Sequence, residues 1–123
     1  LGGVAPGVPS ISQRLPIDFV MPTSEKQLIL AVISGLEPEI RELGVETLSV
    51  FGSTVRDELQ SGSDIDVLVR FRKGEKNYAR FIALLDLLER HLERPIELVT
   101  TEALSPFIGP HILAEAQDVI RAA

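Results

Sequence analysis

The spacing of hydrophobic residues changes along the chain, and each change marks an element of secondary structure. Ser24 followed three residues later by Gln27 is a capping-box pattern, and apolar residues then recur at helical spacing. Gly35 and Pro38 interrupt this helix, so we expect it to kink or divide before Gly44 ends it. The pattern therefore predicts one kinked helix or two short ones.

Three short runs indicate β-strands, because they carry β-forming residues at alternating or consecutive apolar positions. The runs are Thr47–Phe51, Asp64–Phe71 and Ile96–Val99. Gly52 and Ser53 break the first strand, and residues 54–59 are expected to form a turn or two of helix before a polar loop.

Two further helical segments follow the second and third strands. Asn77–Glu93 predicts the most regular helix, because its apolar positions repeat at three and four, and Tyr78 is expected to face the core. Thr101–Leu104 begins a short helix, and Pro110, in a first-turn position, begins a last one through Ile120. The order of elements predicts an α/β or α+β domain with a small three-stranded mixed sheet flanked by helices.

Length and composition fit a single domain. The chain has 123 residues, of which 45% are hydrophobic and 24% charged, as in an ordinary globular protein. Residues 1–20 are rich in Gly and Pro without a sustained period, so we assign them to a leader or an artificial extension and residues 21–123 to the domain. No apolar run is long enough to span a bilayer, and we expect a cytoplasmic protein.

Charge and cysteine content exclude several classes of function. The absence of cysteine excludes a disulfide framework, a thiolate metal site and a thiol nucleophile. The net charge of −6 argues against a surface for nucleic acid, which usually requires a basic patch. If the protein binds phosphate, a few residues at one site bind it rather than an extended basic surface.

Asp64 and Asp66 are the first candidate site residues. They lie two residues apart on a predicted strand, so both side chains leave the same face of the sheet. Two adjacent carboxylates repel unless a cation lies between them, and Mg²⁺ prefers such hard oxygen ligands together with water and phosphate oxygens. An isolated Asp-x-Asp also commonly caps a loop or faces water, so the surrounding residues decide its meaning.

The neighbouring sequence adds an anion site and a third carboxylate. Gly52 and Ser53 lie where a strand ends, and the backbone N–H groups there, with the serine hydroxyl, can bind phosphate. Glu97 can face the same site if its strand neighbours the second one, or it can lie on the exposed face of an edge strand. Arg56 either contacts phosphate or pairs with one of the two acidic residues that follow it.

A longer motif joins these residues. Gly52-Ser53, ten intervening residues and then Asp64-Ile65-Asp66 resemble the signature of the nucleotidyltransferase superfamily that includes DNA polymerase beta. The segments LSVFGS, SDIDVLVRF and PIELVTTEAL are more closely similar to its minimal nucleotidyltransferase branch. The resemblance covers about residues 25–120 and implies the nucleotidyltransferase fold.

The resemblance also implies a reaction. A nucleoside monophosphate, with ATP as the expected donor of AMP, would pass to a hydroxyl acceptor with release of pyrophosphate. Gly52 and Ser53 would hold the triphosphate, and Arg56 occupies a customary basic position of the family.

The resemblance implies a metal site formed by three acidic residues. Asp64 and Asp66 would bind two Mg²⁺ ions, and Glu97 would be the third ligand and would help to deprotonate the acceptor. Two metal ions can stabilise both the entering and the leaving oxygen of an in-line displacement.

Three positions depart from the family's pattern. Glu97 stands where aspartate is usual, so its carboxylate reaches one methylene further. Thr54 replaces a frequent arginine, and Asp57 replaces a frequent glycine close to the proposed phosphate site. Glu97 and Asp57 keep a second hypothesis open, in which a catalytically degenerate domain acts as a binding antitoxin or a nucleotide sensor.

Members of this branch often act with a separate helical HEPN-domain protein, as the antitoxin of a toxin–antitoxin pair, and some attach AMP to a tyrosine of that partner. The resemblance therefore implies protein adenylyl transfer to a HEPN-domain protein. The acidic balance of the chain fits a protein acceptor better than DNA. A domain this small has few walls to enclose a substrate, so we expect a homodimer or a hetero-oligomer.

Overall fold

The computed structural model describes residues 24–60 and 62–122 of the chain, so the predicted leader at 1–20 lies outside the described residues. These residues form four α-helices, four strands and, where a short helix was predicted after the third strand, one turn of 3-10 helix at Thr101–Ala103. The helices are α1 (Glu25–Gly35), α2 (Glu37–Glu42), α3 (Tyr78–Leu92) and α4 (Gly109–Glu115), and the strands are β1 (Val45–Phe51), β2 (Ile65–Phe71), β3 (Ile96–Thr100) and β4 (Gln117–Ile120). Within this part of the chain, no helix combines the length and apolar character needed to cross a membrane.

The first predicted helix divides into two, as Gly35 and Pro38 indicated. Ser24 caps α1, and its hydroxyl accepts a hydrogen bond from the Gln27 N–H at 3.1 Å. Leu36 ends α1, and α2 begins with Pro38 in its first turn, where no helical hydrogen bond needs the missing proline N–H.

The strands form one mixed sheet in the order β3-β2-β1-β4. Strand β1 pairs antiparallel with β2 on one side and with β4 on the other. Strands β2 and β3 are parallel, and α3 makes the crossover that a parallel pair requires. The prediction of a mixed sheet flanked by helices is confirmed, but the predicted number of three strands is wrong because β4 adds a fourth.

Strand β4 occupies the end of the predicted last helix. Helix α4 ends at Glu115, and the next residues pair with β1, with Ile120 opposite Leu48. Ile120 is only 1% exposed. Pairing with an open strand edge and burial of a β-branched side chain outweigh the local helical pattern, so the helix does not continue to Ile120.

The hydrophobic core lies between one face of the sheet and the helices. Alternate residues of β1 and β2 are fully buried there, and they pack with α1 and α3. The central members are Ile29, Ile33, Leu48, Val50, Ile65, Val67, Val69, Leu84 and Leu88. Because strand side chains alternate, the residues between these positions belong to the opposite face of the sheet, which carries the candidate site.

Two local predictions are wrong. Residues 52–57 form a series of turns rather than the short helix expected over 54–59. Tyr78 is 79% exposed rather than core-facing. Helical side chains point toward the helix N-terminus, so the first residue of α3 has no preceding turn to cover it.

We expect Ile120→Ala to lower the free energy of unfolding by about 2 to 5 kcal/mol, because it leaves a cavity beneath β4. Urea unfolding of the two proteins measures the difference. Leu113→Ala is the control, since Leu113 is 57% exposed and its truncation should cost less than about 0.5 kcal/mol. Equal effects of the two substitutions would contradict the assignment of β4.

Candidate active site

The register of the sheet brings the predicted acidic residues to one face. Asp66 of β2 lies opposite Phe51 of β1 and opposite Glu97 of β3. The condition set for Glu97, that its strand neighbours β2, is therefore met, although β3 is also the edge strand and Glu97 is exposed. Asp64 directly precedes β2 and is exposed.

Asp66 lies in a strongly negative environment. Burial of its carboxylate, followed by repulsion from Glu97 and Asp64, raises the pKa of Asp66 to about 6, and the Arg56 guanidinium acts in the opposite direction. A carboxylate that is partly desolvated beside two others is stabilised in its charged form by a cation. The electrostatics of the site therefore favour a positive ligand near Asp66.

Gly52 forms the corner between β1 and the following turns. Its backbone has a φ of 64°, in the left-handed region that glycine adopts without strain. A Cβ atom at this position would overlap a carboxylate oxygen of Asp66. Glycine thus allows the chain to turn and lets the Asp66 carboxylate lie directly against the corner.

The corner binds an anion supplied by the protein itself. The Gly52 N–H donates to Oε2 of Glu115 at 2.8 Å. Nη1 of Arg56 donates to both carboxylate oxygens of Glu115, at 3.1 Å and 2.9 Å. The Glu115 carboxylate stands where the sequence predicted phosphate oxygens, so this corner has the donors that an anion requires.

Arg56 makes one of its two predicted contacts, the pairing with an acidic neighbour, and its contact with phosphate stays a prediction. Its Nε donates to Glu58 at 3.0 Å, which is the predicted pairing with a neighbouring acidic residue. Its Nη1 faces the Gly52 corner through Glu115. The guanidinium is therefore held at the edge of the site by two carboxylates.

The departures at Thr54 and Asp57 have structural explanations. Thr54 is fully buried, and its hydroxyl accepts a 3.4 Å hydrogen bond from the Asp66 N–H, so it supports β2 from within. Asp57 is exposed and has a φ of 59°, a conformation that glycine adopts freely and aspartate tolerates.

Two residues of the site were not identified from the sequence. Glu115 reaches Gly52 from 63 residues away along the chain. Arg94 donates to the carbonyl oxygens of Gln60, at 2.6 Å, and Ser63, at 3.0 Å, and so fixes the loop that leads into Asp64. Both contacts join segments distant in sequence, and neither residue belongs to a local motif.

The donor set fits Mg²⁺. Among residues 24–60 and 62–122, no three His, Cys, Asp or Glu side chains are grouped closely enough to hold an ion by themselves. Mg²⁺ usually takes only one or two carboxylates and completes its coordination with water and substrate phosphate, and the elevated pKa of Asp66 indicates carboxylates that a cation would stabilise. The oxygen ligands of Asp64, Asp66 and Glu97 suit this hard cation.

Comparison with known proteins identifies similar chains. The family described as "Nucleotidyltransferase domain" matches residues 33–119, a span that contains every site residue named above. The protein adenylyltransferase MntA of Thermococcus cleftensis is 35% identical over 88 residues, which cover 71% of this chain and 88% of that protein.

Solved structures share the fold. One, described as a candidate minimal nucleotidyltransferase, has a TM-score of 0.63 and 28% identity, and the match covers 80% of this chain and 98% of that one. A chain of the complex between tri-AMPylated Shewanella oneidensis HEPN toxin and MNT antitoxin has a TM-score of 0.57 and 18% identity, with coverage of 79% and 73%. The second likeness is one of fold alone.

We expect Asp66→Asn to stabilise the protein at pH 8 by about 1 kcal/mol, an amount that allows for solvent screening of a half-buried group. The pKa of Asp66 is raised to about 6, above its ordinary 3.8, so the stability contributed by the protonated form is present at low pH and lost as the pH rises through about 6. The gain should vanish below about pH 3, where the Asp66 carboxyl is neutral in both the folded and the unfolded chain.

Urea unfolding at several pH values without divalent metal measures this difference. Asp86→Asn on the exposed face of α3 is the control and should give no gain at pH 8. A gain for Asp66→Asn that stays constant from about pH 4 to about pH 8 would show that the charge of Asp66 is not its source.

We expect Gly52→Ala to displace the Asp66 carboxylate, because the added Cβ overlaps it, and to cost about 1 kcal/mol or more of stability at a positive φ. Metal titration followed by the amide resonances of β2 measures the displacement. Gly62→Ala is the matched control, since Gly62 also has a positive φ, 83°, but open space around it. Equal loss of metal response in both variants would contradict the role of Gly52.

Proposed function

This chain belongs to the nucleotidyltransferase domain family, and from that premise we propose that it transfers AMP from ATP to a hydroxyl group of a helical protein partner. One observation carries the proposal: the Gly52 N–H and the Arg56 guanidinium bind the Glu115 carboxylate, and Gly52 itself lies directly against the carboxylate of Asp66. Adenylyl transfer needs this combination, because a polyphosphate must lie between anion donors and metal-binding acids.

The Gly52–Arg56 corner binds the phosphate groups in this proposal. Phosphate oxygens take the place of the Glu115 carboxylate as acceptors for the Gly52 N–H and Arg56. The hydroxyl of the half-buried Ser53 adds a donor. Fixed donors at this corner orient the α-phosphate toward the acidic face of the sheet. Orientation of the reacting groups is a large part of catalysis in phosphoryl and nucleotidyl transfer.

Asp64, Asp66 and Glu97 would hold Mg²⁺ as two ions, which would stabilise charge on the entering and leaving oxygens. Glu97 projects from the exposed part of the same face, so its carboxylate is accessible to an incoming acceptor and takes the proton from the acceptor hydroxyl. The extra methylene of Glu97, compared with aspartate, carries the carboxylate outward from β3.

The acceptor in this proposal is a HEPN-domain toxin, with which the chain forms a hetero-oligomer as its antitoxin. The name of the Thermococcus cleftensis relative, a protein adenylyltransferase, supports a protein acceptor. The net charge of −6 supports the same choice, since it disfavours a nucleic-acid substrate. Because ATP is the donor, we place the reaction in the cytoplasm.

A binding module without chemistry is the second candidate. The observation that favours it is the occupation of the anion donors by Glu115, which leaves the corner neutralised by the chain's own carboxylate. Such a domain would neutralise its toxin through contact alone, or would sense a nucleotide without turnover. The two candidates differ in whether AMP appears on the partner.

We expect the protein, co-purified with its helical partner and given Mg²⁺ and ATP labelled on the α-phosphate, to transfer label to that partner. ATP labelled on the γ-phosphate should transfer none, because the γ-phosphate leaves with pyrophosphate. Asp64→Asn and Asp66→Asn should each lower the rate by about a hundredfold or more, since each removes a metal ligand.

Asp86→Asn is the control for loss of one negative charge, because Asp86 pairs with Arg90 on α3, on the helical side of the sheet. It should leave the rate unchanged. Transfer that survives both active-site substitutions would refute the assigned roles. Neutralisation of the partner without any transferred label would identify the binding module.

A further inference from the structure

Glu115 accepts hydrogen bonds from both donors of the proposed phosphate corner, Gly52 and Arg56. It accepts hydrogen bonds from the Gly52 N–H at 2.8 Å and from Arg56 Nη1 at 2.9 Å and 3.1 Å. Its side chain is only 32% exposed. The carboxylate therefore belongs to the corner rather than to the solvated surface, and each contact is a charge-assisted hydrogen bond or a bond from a fixed backbone donor.

These contacts place Glu115 in competition with any second anion at the corner, most directly for the Gly52 N–H. A backbone amide has one hydrogen, so the Gly52 N–H cannot serve Glu115 and a phosphate oxygen together. The Nε of Arg56 donates to Glu58 and its Nη1 to Glu115, so a phosphate at the same corner would compete with Glu115 for Nη1 and could add a bond only from Nη2. A bound phosphate would also lie against the Glu115 carboxylate, and the two negative charges repel.

We propose that Glu115 is an internal competitor for the phosphate corner and sets the affinity of the site for nucleotide. The inference rests on the proposed function, because the ligand that displaces Glu115 is the triphosphate of the donor nucleotide. In the nucleotide-free protein the Glu115 carboxylate neutralises the corner. When the nucleotide binds, Glu115 rotates away, and the Gly52 N–H and Arg56 then donate to the phosphate oxygens.

The position of Glu115 in the fold makes this exchange feasible. Glu115 is the last residue of α4, and β4 begins two residues later, where pairing with β1 holds the backbone. The side chain can therefore leave the corner by rotation about its own bonds while the strand stays paired. The helix dipole disfavours a negative charge at a helix C-terminus. The charged form of Glu115 is therefore stabilised here by its hydrogen bonds from Gly52 and Arg56.

The affinity for nucleotide is therefore multiplied by the fraction of molecules whose corner is open. If Glu115 occupies the donors about 90% of the time, the observed dissociation constant is about tenfold larger than that of the open site. The same competition favours ligands with several anionic oxygens, since a polyphosphate regains contacts at the corner and at the metal ions together.

The test is calorimetric titration of the full chain with α,β-methylene-ATP and Mg²⁺, a pair that cannot undergo adenylyl transfer. Glu115→Ala should bind this analogue about tenfold more tightly than the unmodified protein, and Glu115→Gln, which loses the charge but keeps a neutral acceptor for the Gly52 N–H, should bind it more tightly by a smaller factor. Thermal unfolding of each variant checks that the fold is kept, and the Gly52 amide proton resonance should move upfield in Glu115→Ala because its carboxylate acceptor is gone.

Glu115→Asp separates direct occupation from a general effect of charge. It keeps the negative charge but withdraws the carboxylate by one methylene, so release of the corner should tighten binding here too. A long-range charge effect would leave Glu115→Asp unchanged. Glu58→Gln is the second control, because it removes a charge beside Arg56 without touching the Gly52 N–H, and it should alter binding less than about twofold.

The outcomes distinguish this inference from the proposed function. Equal affinity of the unmodified protein and all three Glu115 variants would overturn the competition and leave the nucleotide site standing. Tightening in Glu115→Gln and Glu58→Gln alike, with none in Glu115→Asp, would also overturn it in favour of simple electrostatics. Absence of binding to every protein would overturn the phosphate site and the competition together.

Discussion

The register of β2 between its two neighbours is the constraint on which the site depends. In this register Asp66 lies beside both Phe51, whose strand runs directly into Gly52, and Glu97. A shift by one residue would turn Asp66 toward the helices and carry the buried side chain of Val67 to the opposite face. The hydrophobic core therefore determines the placement of the carboxylates, because burial of Val67 and its neighbours permits only one alignment.

In the free protein the negative charges of the site repel one another and are only partly compensated. Partial burial and the proximity of Glu97 and Asp64 raise the pKa of Asp66 to about 6. Arg56 offsets part of this repulsion but is shared with Glu58 and Glu115. The site has excess negative charge on one side and an anion-binding corner on the other. It is suited to metal ions and phosphate together, because metal ions would neutralise the acidic residues and phosphate oxygens would accept from the donors of the corner.

The departures from the family pattern are accommodated in different ways. Thr54 is fully buried, and its hydroxyl accepts a hydrogen bond from the backbone N–H of Asp66. Asp57 keeps the left-handed backbone that glycine would supply. Glu97 lies opposite Asp66 on the neighbouring strand, and its side chain is one methylene longer than that of aspartate.

The sequence by itself determined most of the local elements and supplied the first candidates for the site. Capping at Ser24, the division near Pro38, the regular helix α3 and the pairing of Asp64 with Asp66 follow from spacing and side-chain chemistry, which act over a few residues. Only the tertiary structure decided that Gln117–Ile120 is a strand and that Glu115 fills the corner at Gly52. Both depend on contacts between segments more than sixty residues apart, whose free energy exceeds local helix propensity and leaves no periodic trace in the chain.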